Sequence, residues 1–187
     1  YSGSISGNPE VKGDLEAAAK NLVDDLGSDD EAEIIKFGSK VKVMQEFPSD
    51  KALLRKAITT DPIFDKWTAL YDAVWQGIND VDDPTKTLNA RKAVVLLSDG
   101  KDIGPNDQPL SQNTIDDVIE DAQNNGISGI PIFSIGLGNL DTNPLEEMAD
   151  ETGGIFYEST ESDNLDTIYE QIADLLFTDQ YVIKYES

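Results

Sequence analysis

The sequence predicts an α/β fold, a doubly wound and mostly parallel sheet with helices on both faces. Three observations predict it. Segments of helical and strand periodicity alternate along nearly the whole chain. Two strand segments, Ala93 to Leu97 and Ile130 to Leu137, are largely continuous apolar runs, as expected of strands covered on both faces. No low-complexity linker and no repeat interrupts the alternation, so one domain is expected.

Each element has its own signal. Val11 to Leu26 carries Leu15, Ala18, Ala19, Leu22 and Val23 at helical spacing, with Gly27 where a C-terminal cap belongs. Ala32 to Phe37 and Val41 to Phe47 are β-rich and joined by Gly38-Ser39-Lys40, which reads as a hairpin. Helical spacing returns in Ser49 to Ile58 through Leu53, Leu54 and Ala57. A third helix starts at Thr68 and runs through Leu70, Tyr71, Val74, Trp75 and Ile78. After the strand Ala93 to Leu97, Ile115, Val118, Ile119 and Ala122 form a helix face that stops near Gly126. Ile130 to Leu137 is a buried strand, with Pro131 near its start, where a missing N–H is tolerated.

Asn143-Pro144-Leu145-Glu146 reads as a helix start, with a capping side chain, proline at the first position and Glu146 completing a capping box. That helix ends at Gly153-Gly154, and Ile155 to Tyr157 is a further strand. Leu165, Ile168, Tyr169, Ile172, Leu175 and Leu176 mark the last helix, and Tyr181 to Tyr185 a closing strand. Trp67, Trp75 and the tyrosines are expected in the core.

Composition narrows the function. With 37 acidic and 14 basic residues the formal net charge is −23, which repels phosphate backbones and anionic membranes alike. Neither nucleic-acid binding nor membrane insertion is expected, since no stretch approaches the ~20 apolar residues of a spanning helix. Histidine and cysteine are absent, which removes His-dependent nucleophilic catalysis, thiolate chemistry and disulfides. Gly136-Leu137-Gly138 begins like a dinucleotide fingerprint, but Asp141 stands at the third glycine and would repel a pyrophosphate.

Open parallel sheets bind ligands beyond the C-terminal ends of their strands. Three segments there are informative: Tyr1-Ser2-Gly3-Ser4, Trp67-Thr68-Ala69-Leu70 and Ser98-Asp99-Gly100. In this order they resemble the von Willebrand factor A domain, with its D-x-S-x-S pattern, a threonine in a T-A-L-type segment and an aspartate after the fourth strand. Ser2 and Ser4 match the serines, Thr68 the threonine and Asp99 the turn aspartate. Gly136-Leu137-Gly138, Glu146-Glu147-Met148-Ala149 and Thr152-Gly153-Gly154 also look like the family.

The resemblance implies a metal-ion-dependent adhesion site. Its hydroxyl and carboxylate oxygens suit Mg²⁺, Mn²⁺ or Ca²⁺, and its open coordination position takes an Asp or Glu carboxylate from a partner protein. No general base is obvious nearby, so the expected function is non-enzymatic: a metal-dependent adhesion or protein-interaction module at a cell surface or in a surface filament. The alternative is an intracellular assembly subunit of the same fold acting beside an ATPase. A metal-assisted hydrolase is a third class. Asp102 and Asp107 lack EF-hand spacing and are expected in a solvated acidic loop rather than at a second Ca²⁺.

One departure matters. The aspartate of D-x-S-x-S should precede Tyr1, as should the first strand, which the resemblance puts at the sheet centre. The expected organisation is therefore a domain over residues 1–178 lacking its first strand, plus a C-terminal strand extension over 179–187. A separate polypeptide is expected to supply the missing strand and its aspartate. Tyr181 to Tyr185 is a poor substitute, because Lys184 would be buried at the centre.

Overall fold

The apolar run after Pro131 becomes the middle of a three-stranded parallel sheet, in the order β3-β4-β5. These strands are Val94–Ser98, Ile132–Leu137 and Phe156–Ser159 in the computed structural model, which describes residues 9–62, 66–87, 91–98, 101–126, 129–137, 142–159 and 164–177. Register is continuous from Val94↔Ile132 to Ser98↔Gly136, and from Ser134↔Phe156 to Leu137↔Ser159.

Helices cover both faces, as the alternation predicts. On one face α1 (Pro9–Asp25) and α6 (Leu165–Phe177) bury Leu15, Ala18, Leu165, Ile168 and Ile172 against Phe133 and Ile135. On the other, α3 (Leu70–Asp82), α4 (Ile115–Asn124) and α5 (Asn143–Thr152) bury Leu70, Val74, Val118, Leu145 and Met148 against Leu96 and Ile132. Helix α4 starts with a capping box. The Thr114 hydroxyl accepts from the Asp117 amide at 3.2 Å, and the Asp117 carboxylate accepts from the Thr114 amide at 2.8 Å. The Thr114 hydroxyl, donating to the Asp117 carboxylate at 2.7 Å, and then the Thr114 amide hold the Asp117 carboxyl below the usual range.

The expected hairpin forms from β1 (Ile34–Phe37) and β2 (Val41–Gln45), antiparallel, and makes a separate two-stranded sheet. Helix α2 (Lys51–Thr59), capped by Asp50, joins it to α1 through a third apolar cluster of Val23, Leu54 and Ile58. Between β1 and β3 lies a cavity of about 1100 Å³, with α1 on one side and α3 on the other. Its two strand walls run the same way along α3. Glu33, before β1, faces Asp80, and Lys92, before β3, binds Asp82 at 2.7 Å, both near the C-terminal end of α3. At the opposite end Gly38, after β1, accepts the Ala69 amide at 2.7 Å.

Several expectations need correction. Ala93 to Leu97 was to be covered on both faces, yet Val94, Val95 and Leu97 are only half-buried, because β3 borders the cavity. Helix α5 is capped from Thr142, without a side-chain capping bond, so the capping box expected from Asn143 and Glu146 does not form. Trp75 is 36% exposed, since Leu70, Ala73, Val74 and Ile78 take the inward face of α3. Helix α5 does end as expected, at Gly153 in the left-handed conformation (φ 77°). The closing strand expected at Tyr181 to Tyr185 lies outside the described residues.

Candidate metal centre

Thr68 stands just ahead of α3, at the end of the molecule where β3 and β4 finish. It is 5% exposed and held by its backbone: its N–H donates to the Ile103 carbonyl and its carbonyl accepts from the Ile103 N–H, both at 2.9 Å. Ile103 lies four positions after Asp99, so the bridge ties the threonine segment to the chain leaving β3. The N-cap of α3 is Ala69, so Thr68 does not cap its helix.

Two carboxylates hold this region together. Asp102 accepts the Tyr71 amide at 3.3 Å in the first turn of α3, and also the Leu110 and Ser111 amides and the Ser111 hydroxyl. The Ser111 hydroxyl in turn accepts the Asp72 amide at 3.0 Å. Asp72 reaches back to the loop, accepting from the amides of Gln112 and Asn113 at 3.0 Å and the Asn113 side chain at 2.8 Å. The exposed N–H groups of α3 are thus capped by a distant loop rather than by a neighbouring residue. This overturns the solvated acidic loop for Asp102, whose oxygens are taken up by loop and helix donors; Asp107 is exposed, as expected.

Ser2, Ser4 and Asp99 lie outside the described residues, so of the four candidate ligands the structure describes Thr68. Ser98, the residue before Asp99, is 3% exposed and paired in register with Gly136. Among the described residues no three carboxylates converge as a cation site. A metal here would rest on the Thr68 hydroxyl with Ser2, Ser4 and Asp99. That oxygen donor set fits a hard divalent ion.

Sequence reasoning missed Asp72, Asp102 and Ser111 as the clamp. An acidic residue in the first turn of a helix is a legible signal for Asp72. Nothing in the spacing of Asp102 and Ser111 marks their partnership with α3. A second arrangement, at the opposite end of the cavity, was also missed. Glu33 and Asp80 are neighbours there, and the Glu33 oxygens and Asp80 Oδ2 are buried without a donor while both are ionised. Burial first, then the hydrogen bond and charge of Asp80, push the Glu33 carboxyl up to about 8, so that a proton on Glu33 closes the contact.

A parallel sheet wrapped on both faces, with a buried threonine bridged to the loop after β3, defines a Rossmann-like domain. The chain belongs to the von Willebrand factor type A domain family, whose pattern matches residues 2–171. Solved structures agree on the fold. The von Willebrand factor type A protein from Catenulispora acidiphila superposes with a TM-score of 0.74 at 18% identity, covering 92% of this chain and 39% of that one. Proximal thread matrix protein 1 from the mussel byssus, in a structure with a zinc-occupied MIDAS motif, gives 0.70 at 18% identity over 93% of this chain and 45% of that one. BatB from Bacteroides thetaiotaomicron gives 0.67 at 15% identity, covering 88% of this chain and 87% of that one. The chain therefore spans less than half the length of the first two. No curated protein matches the sequence. No helix among the described residues is long and apolar enough to cross a membrane.

Proposed function

We propose that this domain is a metal-dependent protein-interaction module of a cell surface or surface filament. It holds Mg²⁺, Mn²⁺ or Ca²⁺ through Ser2, Ser4, Thr68 and Asp99 and takes an Asp or Glu carboxylate of a partner into the open coordination position. The observation that carries this reading is the two-way backbone bridge between Thr68 and Ile103, which sets the threonine beside the chain emerging from Asp99. The occupied motif of the mussel protein supports it by analogy of fold. Neutral hydroxyls leave most of the ion's charge uncompensated, which is what draws an external carboxylate. A net charge of −23 suits a saline exterior, where screening relieves self-repulsion.

Calorimetry with Mg²⁺ tests the site. Asp99→Ala and Thr68→Ala should each weaken binding about tenfold or more, and excess EDTA should release the attached partner. Equal Mg²⁺ affinity in parent and Asp99→Ala would overturn the assignment, and attachment that persists in EDTA would overturn the metal-dependent reading.

A further inference from the structure

Two cations and two carboxylates meet where α1, β1 and the chain after α2 come together. Lys36, in β1, is 7% exposed; its ammonium donates to the Ile58 carbonyl at 2.5 Å and stands 3.5 Å from the Asp61 carboxylate. Lys12, in the first turn of α1, donates to the other oxygen of Asp61 and lies 3.6 Å from Glu16, one turn further along the helix. Asp61 thus joins a helix to a strand, and it lies on the stretch of chain that runs from α2 to Thr68.

These contacts keep Lys12 and Asp61 charged. The hydrogen bond with Asp61 holds the Lys12 ammonium above its ordinary value, and the same bond holds the Asp61 carboxyl below its own. Burial pulls the Lys36 ammonium down, and the charges of Asp61 and Glu16 oppose that. A buried cation depends on its partners, because left alone it would carry the full desolvation cost of its charge. Lys36 therefore fixes where Asp61 can stand.

Each arm of the cluster leads to a segment that carries a proposed metal ligand. Lys12 is on the helix that follows Ser2 and Ser4, and Asp61 precedes Thr68. Lys36 lies two residues before Gly38, whose carbonyl accepts the Ala69 amide at 2.7 Å. At its other end α1 is fastened to α2 by the Arg55–Asp24 ion pair and by the bond from Lys51 to the Asp24 carbonyl at 2.7 Å. Those contacts lead to no candidate ligand, which makes them a matched control.

We propose that Lys12, Lys36 and Asp61 are positioning residues of the metal centre: through Asp61, the buried Lys36 holds the start of α1 and the chain leading to Thr68 in a fixed relation. This role rests on the ligand assignment made above and is exerted through the backbone segments that carry the ligands. It has a diagnostic sign. Lys12→Met removes a positive charge, which by charge alone would tighten the binding of a cation. Loss of position weakens it instead.

Calorimetry of the whole chain with Mg²⁺, and amide hydrogen exchange of the metal-free chain, test this role. Lys12→Met and Asp61→Asn should each weaken Mg²⁺ binding about threefold or more, and Lys12→Arg, which keeps the ion pair, should match the parent. Lys36→Met is expected to act alike, and Lys12→Met keeps the test decisive if that buried variant fails to fold. Without metal, Lys12→Met and Asp61→Asn should speed exchange of the Thr68 and Ala69 amides about threefold. The Lys86 and Thr87 amides, in the turn after α3, should not change. Arg55→Met should alter neither readout. Mg²⁺ affinity in Lys12→Met equal to or tighter than the parent's, beside a weakened Asp99→Ala, would overturn the positioning role and leave the metal centre standing. So would exchange of Thr68 and Ala69 no faster in Lys12→Met than in Arg55→Met. If Asp99→Ala binds Mg²⁺ as the parent does, the ligand assignment fails, and the exchange of Thr68 and Ala69 by itself decides whether the cluster holds that segment.

Discussion

Strands β3 and β4 lie side by side in perfect register and are built from similar residues, yet they live in different surroundings. All six residues of β4 are buried, whereas in β3 only Leu96 and Ser98 are. Val-Val-Leu-Leu is no less apolar than the residues opposite it. The difference is that β4 has a strand on each edge and β3 has one edge on the cavity. An apolar run states what surroundings a strand tolerates; its neighbours decide what it receives.

The register pair Leu97 and Ile135 measures that difference directly. Ile135→Ala should cost about 2–5 kcal/mol in urea denaturation, the range for a fully buried aliphatic, and Leu97→Ala about 1–2 kcal/mol, since half the burial is missing. Equal losses would break the comparison.

Gly154 tests how tightly the closed side is built. A Cβ there would stand 2.0 Å from the Ile132 carbonyl oxygen at the start of β4, a backbone clash no rotamer change relieves. Gly154→Ala should cost about 3 kcal/mol, at the upper end for overpacking. Gly77, on the open side, should behave oppositely. Its Cβ has room, so Gly77→Ala should raise stability by about 1 kcal/mol in the same assay.

The smallest effect is a pH dependence at the cavity mouth. Glu33 is raised to about 8 in the folded state against an ordinary value of 4.5, so over that interval the native state binds more protons than the unfolded one. Its contribution is complete below pH 4.5 and is lost as pH rises through about 8. Thermal melts of the parent should therefore fall relative to Glu33→Gln across this window. Parallel curves would remove Glu33 from the account.

Most of the fold was legible because period and punctuation are local. Leu15 to Val23 declares a helix, Gly38-Ser39-Lys40 a turn, and Gly153 a helix end without reference to anything distant. The errors have a common cause. The burial of Val95, the exposure of Trp75 and the capping by Asp102 depend on which elements become neighbours, and spacing along the chain does not carry that. Of the candidate centre, Thr68 was legible through its Thr-Ala-Leu context. Its bridge to Ile103 was not, because a pairing across 35 positions leaves no local trace. Glu33 and Asp80 were invisible for the same reason, lying on different elements with no motif between them.

The clasp between the loop after β3 and the start of α3 bears on how that loop resists proteolysis. Asp102, Asp72 and Ser111 fasten the loop to the first turn of α3 through hydrogen bonds with both helix and loop amides. A protease meets residues 101–113 already fastened, and cleavage waits on the opening of the first turn of α3. The durability of this loop is thereby tied to the stability of a helix.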